Sequence, residues 1–169
     1  MSTSTTREPA QVRFYFDFLS PYAYLARHKL VELSRRHGWL IDYRSIDLAL
    51  AKKAIGNTGP ANRDMPVKLQ YLSKDLTRWA ASYGIELRFP PNYYSRWLNT
   101  GLYYGPCRGR ETDYVRTAFN HVWGLGQAPD AAQTLSAVAE QMGWDTSEFA
   151  AFTDGEAGSQ AYEHATAEA

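Results

Sequence analysis

VRFYFDFLSPYAYL, residues Val12–Leu25, decides how the chain folds. Val12–Phe18 is almost continuously apolar or aromatic, which is typical of an inner strand of a parallel sheet. Ser20 and Pro21 then mark the start of a helix, because serine is a favoured N-cap and proline is favoured at the first helical position. The Ser20 hydroxyl is therefore expected at the positive end of a helix, where unpartnered backbone N–H groups favour a thiolate or another anion. A purely structural cap explains these residues alone equally well.

The chain continues with a strand–helix–strand unit. A helix is predicted at Tyr22–His37 and ends at Gly38, and a second strand is predicted at Trp39–Leu48. This order is typical of a right-handed parallel βαβ unit. Because two parallel strands rarely form a stable sheet alone, either the short extended segment Ile85–Phe89 joins the sheet or another chain completes it.

The remainder is predicted to be mostly helical. Glycines and prolines place a loop at Ala49–Met65, with a helical turn at its start. Periodicity and stop signals indicate helices from Pro66 to Gly84, from Tyr93 to about Tyr103, from Thr112 or Asp113 to Trp123, from the cap Asp130 to Gly143, and in two pieces around Asp154-Gly155. We interpret residues 12–169 as one domain with a helical insertion at about 66–143, and residues 1–11 as a disordered tail.

Composition narrows the class of protein. The 169 residues carry 18 Lys plus Arg and 18 Asp plus Glu, with a pI near 6.9. This balance argues against a protein that binds nucleic acid or an anionic membrane. No apolar run is long enough to span a membrane, and the N-terminal residues lack the apolar core of a signal peptide. Aromatic residues make up 14% of the chain, which suits either an aromatic core or a pocket for a flat ligand.

Cysteine and histidine usage excludes several kinds of site. With Cys107 as the single cysteine, no disulfide framework is possible within the chain, and a reducing cytoplasm is expected. The four histidines have no ligand spacing, so no metal site is predicted.

Two sequence blocks carry a family resemblance. Phe16–Tyr24, FDFLSPYAY, resembles the opening of 2-hydroxychromene-2-carboxylate isomerases and kappa-class glutathione transferases, which belong to the DsbA-like group of thioredoxin folds. A second block agrees with the same family and comprises Gly56-Asn57, Pro66-Val67-Lys68, Tyr71, Asp75-Leu76, Arg78-Trp79, Tyr83-Gly84-Ile85 and Phe89-Pro90.

The resemblance implies an α/β fold, a thioredoxin-like βαβ unit with a large helical insertion. Family members continue with a strand, a strand and a helix, which include part of the glutathione site. This chain has no matching segment before Ala169, so we expect a C-terminally truncated version of the fold. A homo- or hetero-oligomer is then expected to complete the sheet.

The resemblance also implies site residues. Ser20 stands where redox relatives have their nucleophilic cysteine, and in the family this serine donates a hydrogen bond to the sulfur of glutathione. The flanking residues Phe18, Pro21 and Tyr22 are candidate binding residues. Further candidates, for substrate or glutathione, are Lys53, Asn57 and Lys68, together with Tyr93 and Trp97 in the aromatic segment that roofs the family's pocket. Each lysine is as readily explained as a solvated surface charge.

The implied reaction is double-bond isomerisation of a small conjugated or aromatic carbonyl compound. A thiolate adds to the unsaturated carbonyl, the former double bond rotates, and the thiolate leaves. Glutathione is the implied thiol, and a kappa-type transferase would use the same serine. A third hypothesis is a non-catalytic subunit that stabilises a full-length homologue.

Cys107 offers an alternative thiol. It lies in a Gly/Pro-rich loop next to Arg108 and near Arg110, whose charges lower a thiol pKa, and such a loop keeps a thiol accessible. It would serve an isomerase that needs no glutathione, such as one acting on a conjugated polyene thioester on a carrier protein. An inert cysteine is the competing interpretation, because most single cysteines are not catalytic.

Overall fold

The computed structural model describes residues 9–59 and 64–169. The first eight residues of the predicted tail lie outside this part, and the strand β1 already begins at Gln11. The strands are β1 (Gln11–Phe16) and β2 (Leu40–Ser45). The helices are α1 (Pro21–His37), α2 (Leu48–Ala54), α3 (Pro66–Tyr83), α4 (Arg96–Gly101), α5 (Glu111–Phe119), α6 (Ala132–Met142), α7 (Thr146–Asp154) and α8 (Glu156–Ala167).

The two strands form the predicted parallel pair. Gln11 lies opposite Leu40, and Phe16 lies opposite Ser45. Phe16 and Tyr43 are buried on the inner face of the pair, with their rings edge to face at 6.2 Å between centroids. The register therefore places the aromatic side of the sheet toward the helices, as period-2 alternation requires.

Ile85–Phe89 does not join this sheet. The segment has no strand pairing, and its Arg88 N–H donates to the Trp123 carbonyl oxygen at 2.6 Å. In residues 9–59 and 64–169 the sheet therefore has two strands, and the first of the two predicted alternatives is wrong. Completion of the sheet by another chain stays a prediction.

The second strand is shorter than predicted because a helix starts early. Asp47 Oδ1 accepts hydrogen bonds from the N–H groups of Ala49 and Leu50, both at 2.9 Å. This N-cap begins α2 at Leu48 and ends the extended backbone at Ser45.

The predicted helix cap Asp130 is not a cap. Asn92 Nδ2 donates to Asp130 Oδ1 at 2.7 Å, so the two side chains bind each other. The helix after Asn92 begins at Arg96 rather than Tyr93, and α6 has Ala131 at its N-cap position. Asp130 therefore binds a distant side chain instead of capping α6, whereas Asn92 Oδ1 still accepts from the nearby Tyr94 N–H at 3.2 Å.

The helix predicted to reach Trp123 changes type on the way. α5 ends at Phe119, and the chain continues as a π-helical turn at Asn120–Gly124. This turn carries the fully buried Trp123, whose Nε1 donates to the Phe18 carbonyl oxygen at 2.8 Å. The insertion is thereby tied to the loop that follows β1. No helix in the described ranges has the length and apolarity needed to cross a membrane.

Candidate active site

Ser20 caps α1, as its sequence context predicts. Its backbone is extended, Pro21 occupies the first helical position, and Ser20 Oγ accepts a hydrogen bond from the Ala23 N–H at 3.2 Å. That bond uses a lone pair of Oγ and leaves the hydroxyl proton available to a further acceptor. Capping and donation to a bound anion are therefore compatible roles for one hydroxyl group.

A cavity of about 200 Å³ lies in front of Ser20. Its walls come from α1, the start of α2 and one face of α3, and are mainly apolar. Leu69, Leu72 and Leu76 of α3 contribute to one wall, and the rings of Phe89, Tyr93 and Trp123 to another. The site thus combines a helix N-terminus with flat aromatic surfaces, which suits a conjugated ligand.

Four of the candidate residues from the sequence meet at this cavity, namely Ser20, Pro21, Tyr22 and Tyr93. The Tyr22 hydroxyl also donates to Asp75 Oδ2 at 3.2 Å, which links α1 to α3. The ring centroid of Tyr93 lies 6.2 Å from that of the fully buried Trp123, so Tyr93 packs directly against the core.

A lysine that the sequence did not single out lies at the cavity. Among the described lining residues Lys52 is the charged one, whereas Lys53 lines a separate groove between α2 and α8. Successive residues of a helix point about 100° apart, so the rotation of α2 about its axis determines which of the two adjacent lysines faces the cavity. The adjacent pair was visible in the sequence, but its orientation was not.

Asn57 and Lys68 are exposed and do not line the cavity in front of Ser20. Asn57 follows α2, and its backbone N–H donates to the Lys52 carbonyl oxygen at 2.9 Å. Lys68 lies in the first turn of α3. The structure therefore brings neither side chain into contact with the predicted site.

Phe18 and Trp97 have structural positions instead of the predicted binding positions. Phe18 is fully buried, with its ring centroid 4.6 Å from that of Phe119. Trp97 is half-buried, and its Nε1 donates to Asp154 Oδ1 at 3.2 Å, which connects α4 to α7. Neither side chain lines the cavity in front of Ser20.

The prediction of an accessible, acidic thiol at Cys107 is wrong. Cys107 lies in a short 3₁₀ turn and is fully buried in the hydrophobic core. Burial raises the pKa of its thiol to about 12, while the charge of Arg110 lowers that pKa less than burial raises it. Such a thiol is protonated at neutral pH and faces no solvent, so the structure gives a nucleophilic Cys107 no support.

Asp17 lies directly behind the site and was not among the candidate residues from the sequence. It is 3% exposed, and its carboxylate accepts four hydrogen bonds from the surrounding chain. Burial raises the pKa of this carboxyl group, whereas those hydrogen bonds act in the opposite direction. The available signal was an aspartate within a run of aromatic residues, which is an unusual place for a charge.

No group of three or more His, Cys, Asp or Glu in the described ranges has an arrangement that could hold a metal ion.

The chain matches a known protein family over almost its whole length. The model of the DSBA-like thioredoxin domain matches residues 11–169. The chain belongs to this family. Its relatives within the DSBA-like family include a 2-hydroxychromene-2-carboxylate isomerase of Pseudomonas sp. (strain C18), 51% identical over 92% of this chain and 73% of the relative. An isomerase of the same name from Sphingobium xenophagum is 38% identical over 94% of this chain and 81% of the relative.

A solved structure of selenomethionine 2-hydroxychromene-2-carboxylate isomerase has the same fold. It superposes with a TM-score of 0.89 and is 49% identical, covering 94% of this chain and 78% of that structure. This DSBA-like chain is therefore a close homologue of those isomerases. The sequence predicted a DsbA-like thioredoxin fold and an isomerase, and both predictions are confirmed.

Proposed function

We propose that this protein isomerises 2-hydroxychromene-2-carboxylate or a close relative of it, with the thiol of glutathione bound at Ser20. The observation that carries the proposal is the 51% identity to an isomerase of that name over 92% of the chain. The geometry at Ser20 supports it, because a hydroxyl at a helix N-terminus opens onto an aromatic cavity.

The residues present fit a thiol cofactor. A free thiol is only a few per cent ionised at neutral pH, so an enzyme that uses one must favour the thiolate. The first turn of α1 offers the positive end of a 17-residue helix, with no acidic side chain in that turn. Bound glutathione would supply a nucleophile that adds reversibly to a conjugated carbonyl compound and so permits rotation about a former double bond.

Each wall of the cavity has a defined task in this proposal. The Ser20 hydroxyl donates a hydrogen bond to the anion. The bond that Ser20 Oγ accepts from the Ala23 N–H fixes the position of this hydroxyl. The cation of Lys52 attracts a carboxylate of the substrate or of glutathione. The side chains of Phe89 and Tyr93 exclude water and hold a planar substrate against the thiol position.

The direct test is to follow the ultraviolet spectrum of 2-hydroxychromene-2-carboxylate with enzyme, with and without glutathione. We expect isomerisation that requires glutathione and that S-methylglutathione, which lacks a free thiol, does not support. Equal rates without any thiol would contradict the glutathione part of the proposal. Absence of isomerisation under all conditions would contradict the function itself.

The same assay separates the other hypotheses. Accumulation of a stable glutathione conjugate would indicate a kappa-type transferase. Full activity without glutathione that is lost in Cys107→Ala would indicate a protein thiol, against the burial of that residue. A folded protein that has no turnover by itself, but raises the turnover of an added homologous isomerase above that of the homologue alone, would indicate a non-catalytic subunit.

A further inference from the structure

The loop between β1 and α1 is held by side chains from distant parts of the chain. This loop, defined here as Asp17–Ser20 and called the serine loop, contains three backbone N–H groups after Asp17. The N–H of Phe18 donates to Asn99 Oδ1 at 3.1 Å, and that of Leu19 donates to Asp17 Oδ1 at 3.1 Å. The N–H of Ser20 donates to the Asp17 carbonyl oxygen at 2.9 Å. Every N–H between Asp17 and the N-cap therefore depends on Asp17 or Asn99.

The Asp17 carboxylate also connects the serine loop to both neighbouring walls. Its Oδ2 accepts from the Leu48 N–H at 3.1 Å, at the first residue of α2. Its Oδ1 accepts from Ser95 Oγ at 2.5 Å and from Asn99 Nδ2 at 2.8 Å, at the start of α4. One buried carboxylate thus joins β1, α2 and α4 through groups that lie 31, 78 and 82 residues away in sequence.

These connections set the geometry of the cavity without entering it. Leu48 and Lys52 of α2 line the cavity, as does Tyr93, two residues before Ser95. Asp17 does not line that cavity, but it lines an adjoining one of about 450 Å³ that shares Leu19 and Tyr93 with it. A buried charge is rarely the most stabilising choice at a core position, which favours a role for Asp17 in fixing one geometry. Fully satisfied buried networks of this kind hold a single arrangement.

We propose that Asp17 is a positioning residue, which fixes the Ser20 hydroxyl relative to α2 and to the aromatic wall. This inference rests on the proposed role of Ser20 in the reaction. Asp17→Asn tests it, because an amide has one acceptor oxygen and must present an NH₂ group to at least one of the donors from Leu19, Leu48, Ser95 and Asn99. Ser95→Ala is a milder test that keeps the carboxylate and removes one donor.

Asp145→Asn is a matched control far from the cavity. Asp145 caps α7 and accepts from the N–H groups of Ser147 and Glu148, both at 2.9 Å. It therefore also holds backbone N–H groups through a carboxylate, but on a helix that does not contribute to the cavity in front of Ser20.

We expect Asp17→Asn to lower kcat by at least ~10-fold and Ser95→Ala by a smaller factor, because small misplacements of a catalytic group are costly. KM for the substrate should change by less than about threefold in both, since neither side chain lines the cavity in front of Ser20. Asp145→Asn should keep its kcat within about twofold of the wild-type value, even if its melting temperature falls as much as that of Asp17→Asn. Assays are run at a temperature at which all four proteins are folded.

Amide hydrogen exchange gives a readout that does not depend on turnover. Asp17→Asn should speed exchange at Leu19, Ser20 and Leu48 by at least ~10-fold and leave Ser147 and Glu148 unchanged, with the opposite pattern in Asp145→Asn. Unchanged exchange in the serine loop, or an unchanged kcat in folded Asp17→Asn, would overturn the inference. If Asp17→Asn does not fold, the same two measurements on Ser95→Ala decide. If the wild type shows no isomerase activity, the proposed function fails, and the exchange pattern still decides whether Asp17 fixes the loop.

Discussion

The Ser20 hydroxyl is predicted to have two separable roles, and a set of four substitutions distinguishes them. Ser20→Ala removes both the cap and the donor, whereas Ser20→Gly removes the donor and costs the helix little as an N-cap. Ser20→Thr retains both functions. Ser20→Asp retains the acceptor for the Ala23 N–H but has no proton to donate, and it adds a negative charge where a thiolate would lie.

The magnitudes follow from the contacts of Ser20. Loss of the cap to Ala23 should cost about 1 kcal/mol of unfolding free energy in Ser20→Ala. For a chain of this size that lowers the melting temperature by roughly 2–4 °C. A hydrogen bond to a charged group is worth about 1.5–3 kcal/mol, which corresponds to a loss of roughly 10- to 150-fold in kcat/KM. Stability and activity should therefore rank the four variants differently.

Thermal melts and initial rates of isomerisation, both measured across pH, provide the assay. We expect Ser20→Asp to be as stable as the wild type, because Asp is a good N-cap and the first turn of α1 has no acidic residue, but to be the least active variant. In Ser20→Ala the pH at which kcat/KM reaches half its maximum should rise, since the thiolate has lost a donor. Activity of Ser20→Ala and Ser20→Gly within about threefold of the wild type would refute the reasoning, because Ser20 would then only cap the helix.

Three further predictions follow from other contacts. Burial raises the pKa of Cys107 to about 12, so the unfolded state loses its proton first as pH rises above ~8.5, and stability falls from there to about pH 12. Urea unfolding at pH 8 and pH 10 should show the wild type losing about 2 kcal/mol more than Cys107→Ala, and equal losses would contradict the burial. Gly158→Ala should cost ~1–3 kcal/mol, because its Cβ would meet the Phe152 carbonyl oxygen and lie 2.7 Å from Thr100 Cγ2. Gly105→Ala, with no atom within 4 Å of its Cβ, serves as the control in the same melts. Finally, Lys52→Met should raise KM more than Lys53→Met does, since Lys52 lines the cavity in front of Ser20 and Lys53 does not. A larger effect of Lys53→Met on KM would show that the other face of α2 binds the substrate.

Features that depend on neighbouring residues were predictable from the sequence. The Ser20-Pro21 start of α1, its end at Gly38 and the strand–helix–strand order follow from local preferences for caps, φ angles and alternation. The two motif blocks also predicted the family, because they retain the residues of the β1–α1 turn and of the long helix α3. Prediction was poorer where a side chain binds a distant partner, as Asp130 does with Asn92.

Only the tertiary structure decided which side chains face the cavity. The burial of Cys107 depends on how the helices of the insertion pack around it, and two neighbouring arginines could not reveal that packing. The choice of Lys52 over Lys53 depends on the rotation of α2 against α3. The opening stretch by itself determined that Ser20 would begin a helix. The position of its hydroxyl in front of an aromatic wall is set by Asp17 and Asn99, whose hydrogen bonds span some 80 residues, and no local propensity encodes contacts over that distance.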